Sequence, residues 1–396
     1  MSLSPFLNLI DLFESGKDGY QRYRIPGLVV TANGTVIATC DARRDPNLGD
    51  WSDIDLFIRR SGDLGKTWEV PLRIVHRGLH RDQKIVANPA AAEQGLGAKD
   101  QYPFNNQTLV VDTKTGDILF VYCLNYARCF VLRSKDEGIS WSAPEEITTA
   151  LNELRQRYPW KVIGTGPNHG IQLRNGRMLI PVWLSRGGGD HGHRPSVVST
   201  IFSDDGGHSW SAGEIAAEEK DPLVNPNETV AVELADGSVM LNMRSESLQH
   251  RRGVAYSPDG ATQWTQPEFV NDLADPVCMA GIARLSSVES HGRSRLLFSY
   301  CDNCTEPRLG HASRFYVRKN LTIRVSYDEG RTWPVGRLLE PGLAGYSDIH
   351  PAPDGSLFCI FERGSTDGSG EANNNRFITL AHFNLEWVTL GKDSLG

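Results

Sequence analysis

The sequence predicts an all-β fold, and composition and repetition are the two observations that predict it. Its 396 residues include 39 glycines, 21 prolines and nine tryptophans but few long helix-forming runs, which favours many short strands joined by tight turns. An octapeptide with the pattern Ser-x-Asp-x-Gly-x-Ser/Thr-Trp also recurs along the chain. Its copies start roughly 50 to 75 residues apart, a spacing that suits radially repeated four-stranded sheets.

Each octapeptide is predicted to be the turn of a β-hairpin. The aspartate accepts backbone N–H groups of the turn, the glycine supplies a positive φ, and the tryptophan packs beneath them. Runs such as DLFIRRS, FVLRS and TIRVS lead into the octapeptide, so each copy is expected between two strands of one blade. The clean copies are SGDLGKTW from Ser61, SKDEGISW from Ser134, SDDGGHSW from Ser203 and SYDEGRTW from Ser326, and SPDGATQW from Ser257 is a degenerate fifth. A purely structural role is therefore expected for the repeat aspartates Asp63, Asp136, Asp205 and Asp328.

Length and charge exclude several classes of protein. The length alone allows one large domain or two ordinary ones. A net charge of −7 without a basic cluster argues against a nucleic-acid or anionic-membrane surface. No apolar run approaches the roughly 20 residues that span a bilayer, and MSLSPFLNLI lacks a basic region followed by an apolar core. We expect a soluble protein, secreted or periplasmic if a signal peptide was removed and otherwise cytoplasmic.

The cysteines and histidines indicate neither disulfides nor metal. Seven cysteines without framework spacing are interpreted as small buried residues, and CDNC is a lone CxxC pair. His191 and His193 stand in the glycine-rich loop SRGGGDHGHRPS without further ligands nearby in the sequence. We therefore expect no metal and no cofactor, and a solvent-exposed position for both histidines.

The stretch GYQRYRIPGLVV places two arginines at the start of an apolar strand. An arginine at the entrance to a core is paired, solvated at a sheet end, or available to an anionic ligand. Pro26 is predicted to restrict Ile25 to extended backbone, which would fix the guanidinium of Arg24 at the strand end.

These motifs resemble those of the sialidase family. The octapeptides resemble the Asp-box, or BNR, repeats of sialidases and related β-propellers, and YRIPGLVV resembles the Arg-Ile-Pro motif that begins the first sialidase blade. The resemblance implies a six-bladed propeller of four-stranded antiparallel blades that forms a single domain over residues 1–396. It also implies that Arg24 is the first of three arginines that bind the substrate carboxylate, whereas Arg22 is expected at the surface.

The resemblance extends to two later arginines. The segment NETVAVELADGSVMLNMR reads as a strand, a turn and a second strand, and its Glu228 and Arg244 match a catalytic glutamate and the second arginine of the family. Glu233 lies inside the strand, where a salt bridge or an edge role is expected. In YVRKNLTIRVSYDEG, Arg318 matches the third arginine, and Arg324 in the same segment is the alternative.

The family's nucleophile is a tyrosine. Sialic acid carries a carboxylate on its anomeric carbon, so a carboxylate nucleophile would approach a like charge, and the family uses a tyrosine activated by a glutamate instead. GLAGYSDIHPAPDG matches the tyrosine-bearing segment, which makes Tyr346 the implied nucleophile and Glu228 its base. Glu362 in CIFERG matches the glutamate that pairs with the first arginine, Arg24.

A general acid is expected on the loop that follows the first hairpin. The segment CDARRDPNLGDWSDIDLFIRRS offers the candidates Asp41, Asp45, Asp50, Asp53 and Asp55. Family sialidases place the acid at a fixed short distance before the Arg-Arg-Ser that enters the first Asp box, and Asp50 fits that distance best, with Asp45 as the alternative. Arg43, just before this polar loop, is expected to be a pocket residue.

The resemblance, from about residue 20 to residue 365, implies a retaining exo-α-sialidase acting on sialylated glycoconjugates or oligosaccharides. Transfer of the sugar to an acceptor or release of an anhydro product is the alternative of the same fold, and a related acidic ulosonic sugar is the alternative substrate. A non-catalytic Asp-box propeller that binds glycans is the alternative of another class. It predicts that Tyr346, Glu228 or an arginine of the set is lost, and none is missing.

Overall fold

The computed structural model describes residues 4–81, 87–97, 101–188, 191–220, 222–307, 315–366 and 372–395. Within these ranges the chain is mostly antiparallel β-sheet, as the sequence predicts. The helices are short: α1 (Pro89–Ala92), α2 (Thr149–Asn152), α3 (Val288–His291), α4 (Leu385–Thr389) and the 3₁₀ turns η1 (Pro46–Trp51), η2 (Arg77–His80) and η3 (Glu153–Gln156). None of the helices in this part of the chain is long and apolar enough to cross a membrane.

Four sheets follow one another along the chain after β1 (Leu7–Glu14). The first contains β2 (Arg22–Val30), β3 (Val36–Arg43), β4 (Ile54–Ser61) and β5 (Leu72–Val75) in that order. The second contains β6 (Phe104–Val111), β7 (Ile118–Leu124), β8 (Arg128–Ser134) and β9 (Glu145–Glu146). The third contains β10 (Val162–Thr165), β12 (Ile171–Gln172), β13 (Met178–Ser185), β14 (Ser196–Ser203) and β15 (Ser211–Ala212), and β11 (Asn168–His169) between them joins the second sheet. The fourth contains β16 (Thr229–Glu233), β17 (Val239–Met243), β18 (Arg251–Ser257) and β19 (Glu268–Ala274).

The last sheet has seven strands and returns to the start of the chain. Its strands are β20 (Gly281–Ser286), β21 (Arg295–Cys301), β22 (Lys319–Ser326), β23 (Val335–Pro351), β24 (Leu357–Thr366) and β25 (Ala372–Phe383), with β1 beside β25. Strand β23 pairs with β22 up to Leu343 and with β24 from Ala344 onward. Among the described residues, a division of β23 after Leu343 gives six groups of strands, but the hydrogen-bonded sheets number five. The six-bladed count therefore stays a prediction, as does the single domain.

The first strands of the groups meet around a buried polar centre. Asn168 donates from its side-chain amide to the carbonyl oxygens of Ala280 and Ser347, both at 2.9 Å. Asp348 accepts from the backbone N–H of Leu28 at 2.9 Å and lies 2.8 Å from the ring of His169. Because buried polar groups need such partners, this network fixes the strands of separate sheets relative to one another.

The Asp boxes form the predicted turns. In the first box, Asp63 accepts the backbone N–H of Thr67 at 2.9 Å, Gly65 has a φ of 77°, and the indole N–H of Trp68 donates to the carbonyl of Gly65 at 3.1 Å. The boxes that begin at Ser134, Ser203 and Ser326 repeat these contacts, and each joins the third and fourth strand of its group. The degenerate copy keeps the serine–aspartate contact, since Ser257 donates to Asp259 at 3.1 Å. The expectation of a structural role agrees with this geometry.

The prediction of extended backbone at Ile25 is wrong. Ile25 has a φ of 53°, in the left-handed region, and it lies in an irregularity of pairing between Arg24 and Gly27. Such a conformation is unfavourable for a β-branched residue. Two hydrogen bonds compensate: its N–H donates to Glu362 at 3.0 Å, and its carbonyl accepts from the side chain of Gln107 at 2.5 Å.

Candidate active site

Tyr346 and Glu228 form the centre of the site. Tyr346 lies in the second half of β23, beside a register shift between Ala344 and Ser347, and Glu228 immediately precedes β16. The tyrosine hydroxyl lies 2.7 and 2.6 Å from the two carboxylate oxygens of Glu228 and donates a hydrogen bond to that carboxylate, a geometry in which a carboxylate can act as a base. Both residues are buried, and burial raises the pKa of Tyr346 above its ordinary value.

Three arginines surround the ring of Tyr346. The guanidinium carbons of Arg24, Arg244 and Arg318 lie 5.0, 6.0 and 5.2 Å from the ring centroid. Arg244 donates from Nη1 to the tyrosine hydroxyl at 2.7 Å, and the same nitrogen pairs with Glu228. The three guanidiniums come from β2, from the residue after β17 and from the residue before β22, so three separate sheets build this arrangement.

Arg324, the alternative to Arg318, lies elsewhere. Its guanidinium donates to the hydroxyl of Tyr300 at 3.2 Å and to the carboxylate of Asp302 at 3.1 Å. Arg318 instead donates to the carbonyl of Val277 at 2.6 Å. The geometry therefore favours Arg318 as the third arginine beside Tyr346.

Glu362 connects the first arginine to the tyrosine. This fully buried carboxylate accepts from Nε of Arg24 at 3.1 Å and from the backbone N–H of Tyr346 at 3.0 Å. Burial alone would lower the pKa of Arg24, but the charge of Glu362 raises it above its ordinary value. A side chain at Gly345 would place its Cβ 2.1 Å from Glu362, so this position requires glycine. Glu362 thus offsets repulsion among the arginines.

Asp50, Arg43 and Asp41 form a chain of charges beside this cluster. Arg43 donates from Nη1 to Asp50 at 2.7 Å and from Nη2 to Asp41 at 2.8 Å. Asp41 is fully buried, whereas the side chain of Asp50 is 36% exposed. Burial opposes the charge of Asp50, but Arg43, His193 and Arg24 together hold its pKa below the usual range. These neighbouring charges favour the carboxylate form of Asp50.

The remaining acid candidates do not join this arrangement. Asp53 accepts the backbone N–H of Tyr102 at 3.1 Å. Asp55 accepts the hydroxyl of Tyr20 at 2.5 Å, and Asp45 lies half-buried just before η1. Of the two candidates in contact with Arg43, Asp41 is fully buried and Asp50 is partly exposed, in agreement with the expectation that Arg43 borders the loop.

His193 is not solvent-exposed, contrary to the prediction. Its side chain is only 20% exposed, and its ring lies 5.8, 5.0 and 5.1 Å from the rings of Trp51, Tyr126 and Trp183. Its Nδ1 lies 3.9 Å from the Oδ2 of Asp50. His191 is also half-buried, and its Nδ1 accepts the backbone N–H of His193 at 3.2 Å.

Sequence reasoning missed this cluster because the three aromatic residues around His193 come from segments far apart from one another in the chain, with no shared motif. Arg22, expected at the surface, is half-buried, and the pairing of β2 with β3 places it opposite Arg43. Burial and the neighbouring charges of Arg24 and Arg43 lower the pKa of Arg22. One feature of the sequence indicates buried charges in this region. Asp41 follows the apolar stretch VIATC, and a carboxylate at that position needs a buried partner.

A cavity of about 750 Å³ lies elsewhere, at the other ends of the first strands. It is lined by residues such as Val30, Gln172 and Pro351, and none of the arginines around Tyr346 takes part. Two charged residues at its wall form an ion pair, Arg174 with Glu233 at 3.1 Å, in agreement with the predicted salt-bridge role of Glu233. Within the described ranges, no group of three or more His, Cys, Asp or Glu side chains is arranged to hold a metal ion.

Comparison with known proteins gives consistent matches. Residues 53–359 match the family described as BNR repeat-like domain. A sialidase of Micromonospora viridifaciens is 28% identical over 409 residues, which cover 97% of this chain and 55% of the relative. A sialidase of Bacteroides fragilis (strain YCH46) is 29% identical over 376 residues, which cover 88% of this chain and 61% of the relative. This chain therefore spans little more than half the length of these relatives.

A solved structure, the Hadza microbial sialidase Hz136, has the same fold. It superposes with a TM-score of 0.71 at 26% identity, and the match covers 96% of this chain and 69% of that chain. The propeller-type architecture that the repeats predict is thereby confirmed.

Proposed function

The chain belongs to the sialidase family with BNR-type repeats, and from this membership we propose that it is a retaining exo-α-sialidase. Its proposed substrates are sialylated glycoconjugates or oligosaccharides with a terminal sialic acid. One observation carries the proposal: the hydroxyl of Tyr346 lies against Glu228 at 2.6 Å, inside a ring of three arginines. This arrangement fits a sugar whose carboxylate sits on the carbon under attack.

The arginines would hold the substrate carboxylate. Arg24, Arg244 and Arg318 offer several N–H donors to one anion, and charge-assisted hydrogen bonds of this kind are stronger than neutral ones. They would fix the anomeric carbon beside Tyr346. A neutral tyrosine avoids the repulsion that a carboxylate nucleophile would meet there.

In the first step, the oxygen of Tyr346 forms a bond to the anomeric carbon as the bond to the leaving oxygen breaks. Glu228 takes the phenolic proton, which matters because burial raises the pKa of Tyr346 and leaves it a poor nucleophile when neutral. Protonated Asp50 gives its proton to the leaving oxygen. The product is a sugar bound covalently to the tyrosine.

In the second step, water attacks the same carbon and the bond to Tyr346 breaks. Asp50, now a carboxylate, takes a proton from this water, and Glu228 returns its proton to the tyrosine oxygen. Two inversions at one carbon restore the original configuration, so the first product is the α-anomer.

Substrate binding would prepare Asp50 for the first step. In the empty site, Arg24 is one of the charges that keep the pKa of Asp50 low. A bound carboxylate neutralises part of that positive charge, so the pKa of Asp50 rises toward the range in which it carries a proton. Only a substrate with a carboxylate at this position gives this effect.

An aryl α-sialoside tests the proposal, with release followed by absorbance and the anomer by proton NMR. The expected first product is the α-anomer, and Tyr346→Phe is expected to lose retaining turnover while still binding the sugar. Tyr300→Phe is the matched control, because Tyr300 is a buried tyrosine that contacts Arg324 instead. A β-anomer as first product would contradict the mechanism. No release from several sialosides would favour another acidic sugar or a binding-only propeller.

A further inference from the structure

We propose that His193 is a positioning residue for Asp50: its imidazole fixes the outer carboxylate oxygen of the acid over the pocket. The proposal rests on the proposed function, since it assigns a task within the same reaction. It is carried by the contacts of the two side chains and by the packing around the histidine.

The two oxygens of Asp50 have different neighbours. Arg43 donates to Oδ1 at 2.7 Å, whereas Oδ2 faces Nδ1 of His193 at 3.9 Å. Because a donor already occupies Oδ1, the acidic proton of protonated Asp50 belongs on Oδ2, the oxygen that faces the histidine. A movement of roughly 1 Å would bring Oδ2 and Nδ1 to hydrogen-bond distance, and catalytic hydrogen bonds often tighten on this scale when substrate binds.

The imidazole itself is held in place by aromatic rings. Tyr126 and Trp183 lie about 5 Å from it, at 5.0 and 5.1 Å between centroids, and Trp51 next to Asp50 lies at 5.8 Å. Its Nε2 is buried and has no hydrogen-bond partner in the described part of the chain. Packing therefore fixes the ring, and Nδ1 remains the nitrogen available to a polar partner. Close packing of this kind preorganises a site.

An uncharged ring suits this position. A lysine or arginine beside Oδ2 would add to the positive charge of Arg43 and keep Asp50 ionised, whereas burial lowers the pKa of His193 and favours its neutral form. The neutral imidazole can donate to Oδ2 when Asp50 is a carboxylate and accept from it when Asp50 is protonated. It thus serves both steps without a second permanent charge.

Substitutions that separate packing from hydrogen bonding test the proposal. His193→Phe keeps the aromatic contacts and removes the nitrogen, and His193→Asn places an amide near the position of Nδ1. His382→Phe is the matched control, since His382 is also partly buried, stacks on Phe358 at 4.3 Å and has an unpartnered Nε2, but it lies in β25. The measurement is kcat/KM on a sialyl-lactose and on an aryl α-sialoside with a good leaving group.

The expected result is a loss in His193→Phe that is at least about tenfold greater on sialyl-lactose than on the aryl sialoside, because general acid catalysis matters most for poor leaving groups. His193→Asn is expected to recover most of this loss, and His382→Phe to show none. Equal losses on both substrates, or no recovery by asparagine, would overturn the proposal.

An NMR titration of the Asp50 carboxyl gives a readout that needs no turnover. A neutral imidazole that donates from Nδ1 to Oδ2 stabilises the carboxylate form of Asp50, so His193→Phe should raise the pKa of Asp50 and His382→Phe should not. An unchanged titration in His193→Phe refutes the positioning role. If His193→Phe raises the pKa of Asp50 as expected but the wild-type protein cleaves no sialoside, the proposed function is refuted. The contact between His193 and Asp50 is then still established.

Discussion

Residues of the proposed active site differ in role at the scale of single side chains. Some would contact the reacting atoms, and others would hold those residues in place. Tyr346 and Glu228 form a direct hydrogen bond between their side chains. Glu362 instead accepts hydrogen bonds from the backbone N–H of Tyr346 and from the guanidinium of Arg24. Asp50 is ion-paired with Arg43, and its side chain is 36% exposed. These differences give separate expectations for each substitution.

Asp50→Asn is expected to reduce turnover of sialosides with poor leaving groups by about 10² to 10⁴, the usual range for general acid catalysis. Aryl sialosides with activated leaving groups should be affected far less, because the departing oxygen is already a weak base. The measurement is kcat/KM across aryl sialosides of graded leaving-group pKa, with Asp53→Asn as control. Equal losses along the series would exclude Asp50 as the acid.

Arg318→Ala is expected to lower kcat/KM by about 10- to 100-fold, since hydrogen bonds to charged groups contribute about 1.5–3 kcal/mol each. Arg324→Ala should leave kcat/KM within about twofold of wild type, because Arg324 is paired with Asp302 away from Tyr346. Steady-state kinetics on one aryl sialoside check both variants. A larger loss in Arg324→Ala would reverse their assignment.

The proximity of candidate site residues was predictable where a local motif marks them. Arg24 and Tyr346 lie in short distinctive segments, and the structure places the Arg24 guanidinium carbon 5.0 Å from the centroid of the Tyr346 ring. His193 was not predictable, because its environment depends on tertiary packing of loops that no local pattern describes. The prediction of extended backbone at Ile25 was wrong for a related reason. The restriction by Pro26 is a local preference, and the hydrogen bond from the Ile25 N–H to Glu362, 337 residues away, overrides it.

At the scale of elements, β23 links Arg318, the proposed carboxylate-binding residue, to Tyr346, the proposed nucleophile. Its N–H at Ala344 donates to the carbonyl of Arg318 at 3.1 Å, two residues before Tyr346. One continuous strand therefore fixes Arg318 and Tyr346 relative to each other. The turn between third and fourth strands was fully predictable, because an Asp box is a local structure whose hydrogen bonds lie within eight residues.

The Asp boxes are expected to make stability depend on pH. Hydrogen bonds from the side chain and backbone of Ser140 lower the pKa of Asp136 to about 2, below its ordinary 3.8. Its contribution is therefore complete above about pH 4 and is lost as pH falls toward 2. Asp136→Asn should lower the midpoint of urea unfolding at pH 7. The difference in midpoint between the variant and the wild type should become smaller as the pH is lowered below 4. A difference that stays constant from pH 7 to 3 would contradict the expected linkage.

At the scale of the whole molecule, β1 closes the arrangement by pairing with β25, from Leu7 opposite Phe383 to Glu14 opposite Phe377. Phe13 on β1 is buried and contacts Tyr23 on β2, with 5.3 Å between ring centroids. The last group of strands is thus packed against the first. This closure was not predictable from the repeats, because no Asp box marks β1.

Phe13→Ala is expected to lower the free energy of unfolding by about 3–5 kcal/mol, the cost of removing a buried phenylalanine. Leu9→Ala, on the same strand but 50% exposed, should change it by less than about 0.5 kcal/mol. Urea denaturation followed by tryptophan fluorescence measures both. A small effect of Phe13→Ala would mean that the junction between the first and last groups adds little to stability.

The pairing of β1 with β25 also sets an order of events during translation. Residues 7–14 are synthesised more than 350 residues before their partners at 372–383. Arg24 is likewise made long before Glu362, the carboxylate that neutralises it. During that interval β1 lacks its partner strand and the pocket is incomplete, and any product that stops short of β24 lacks Glu362 and cannot assemble the site.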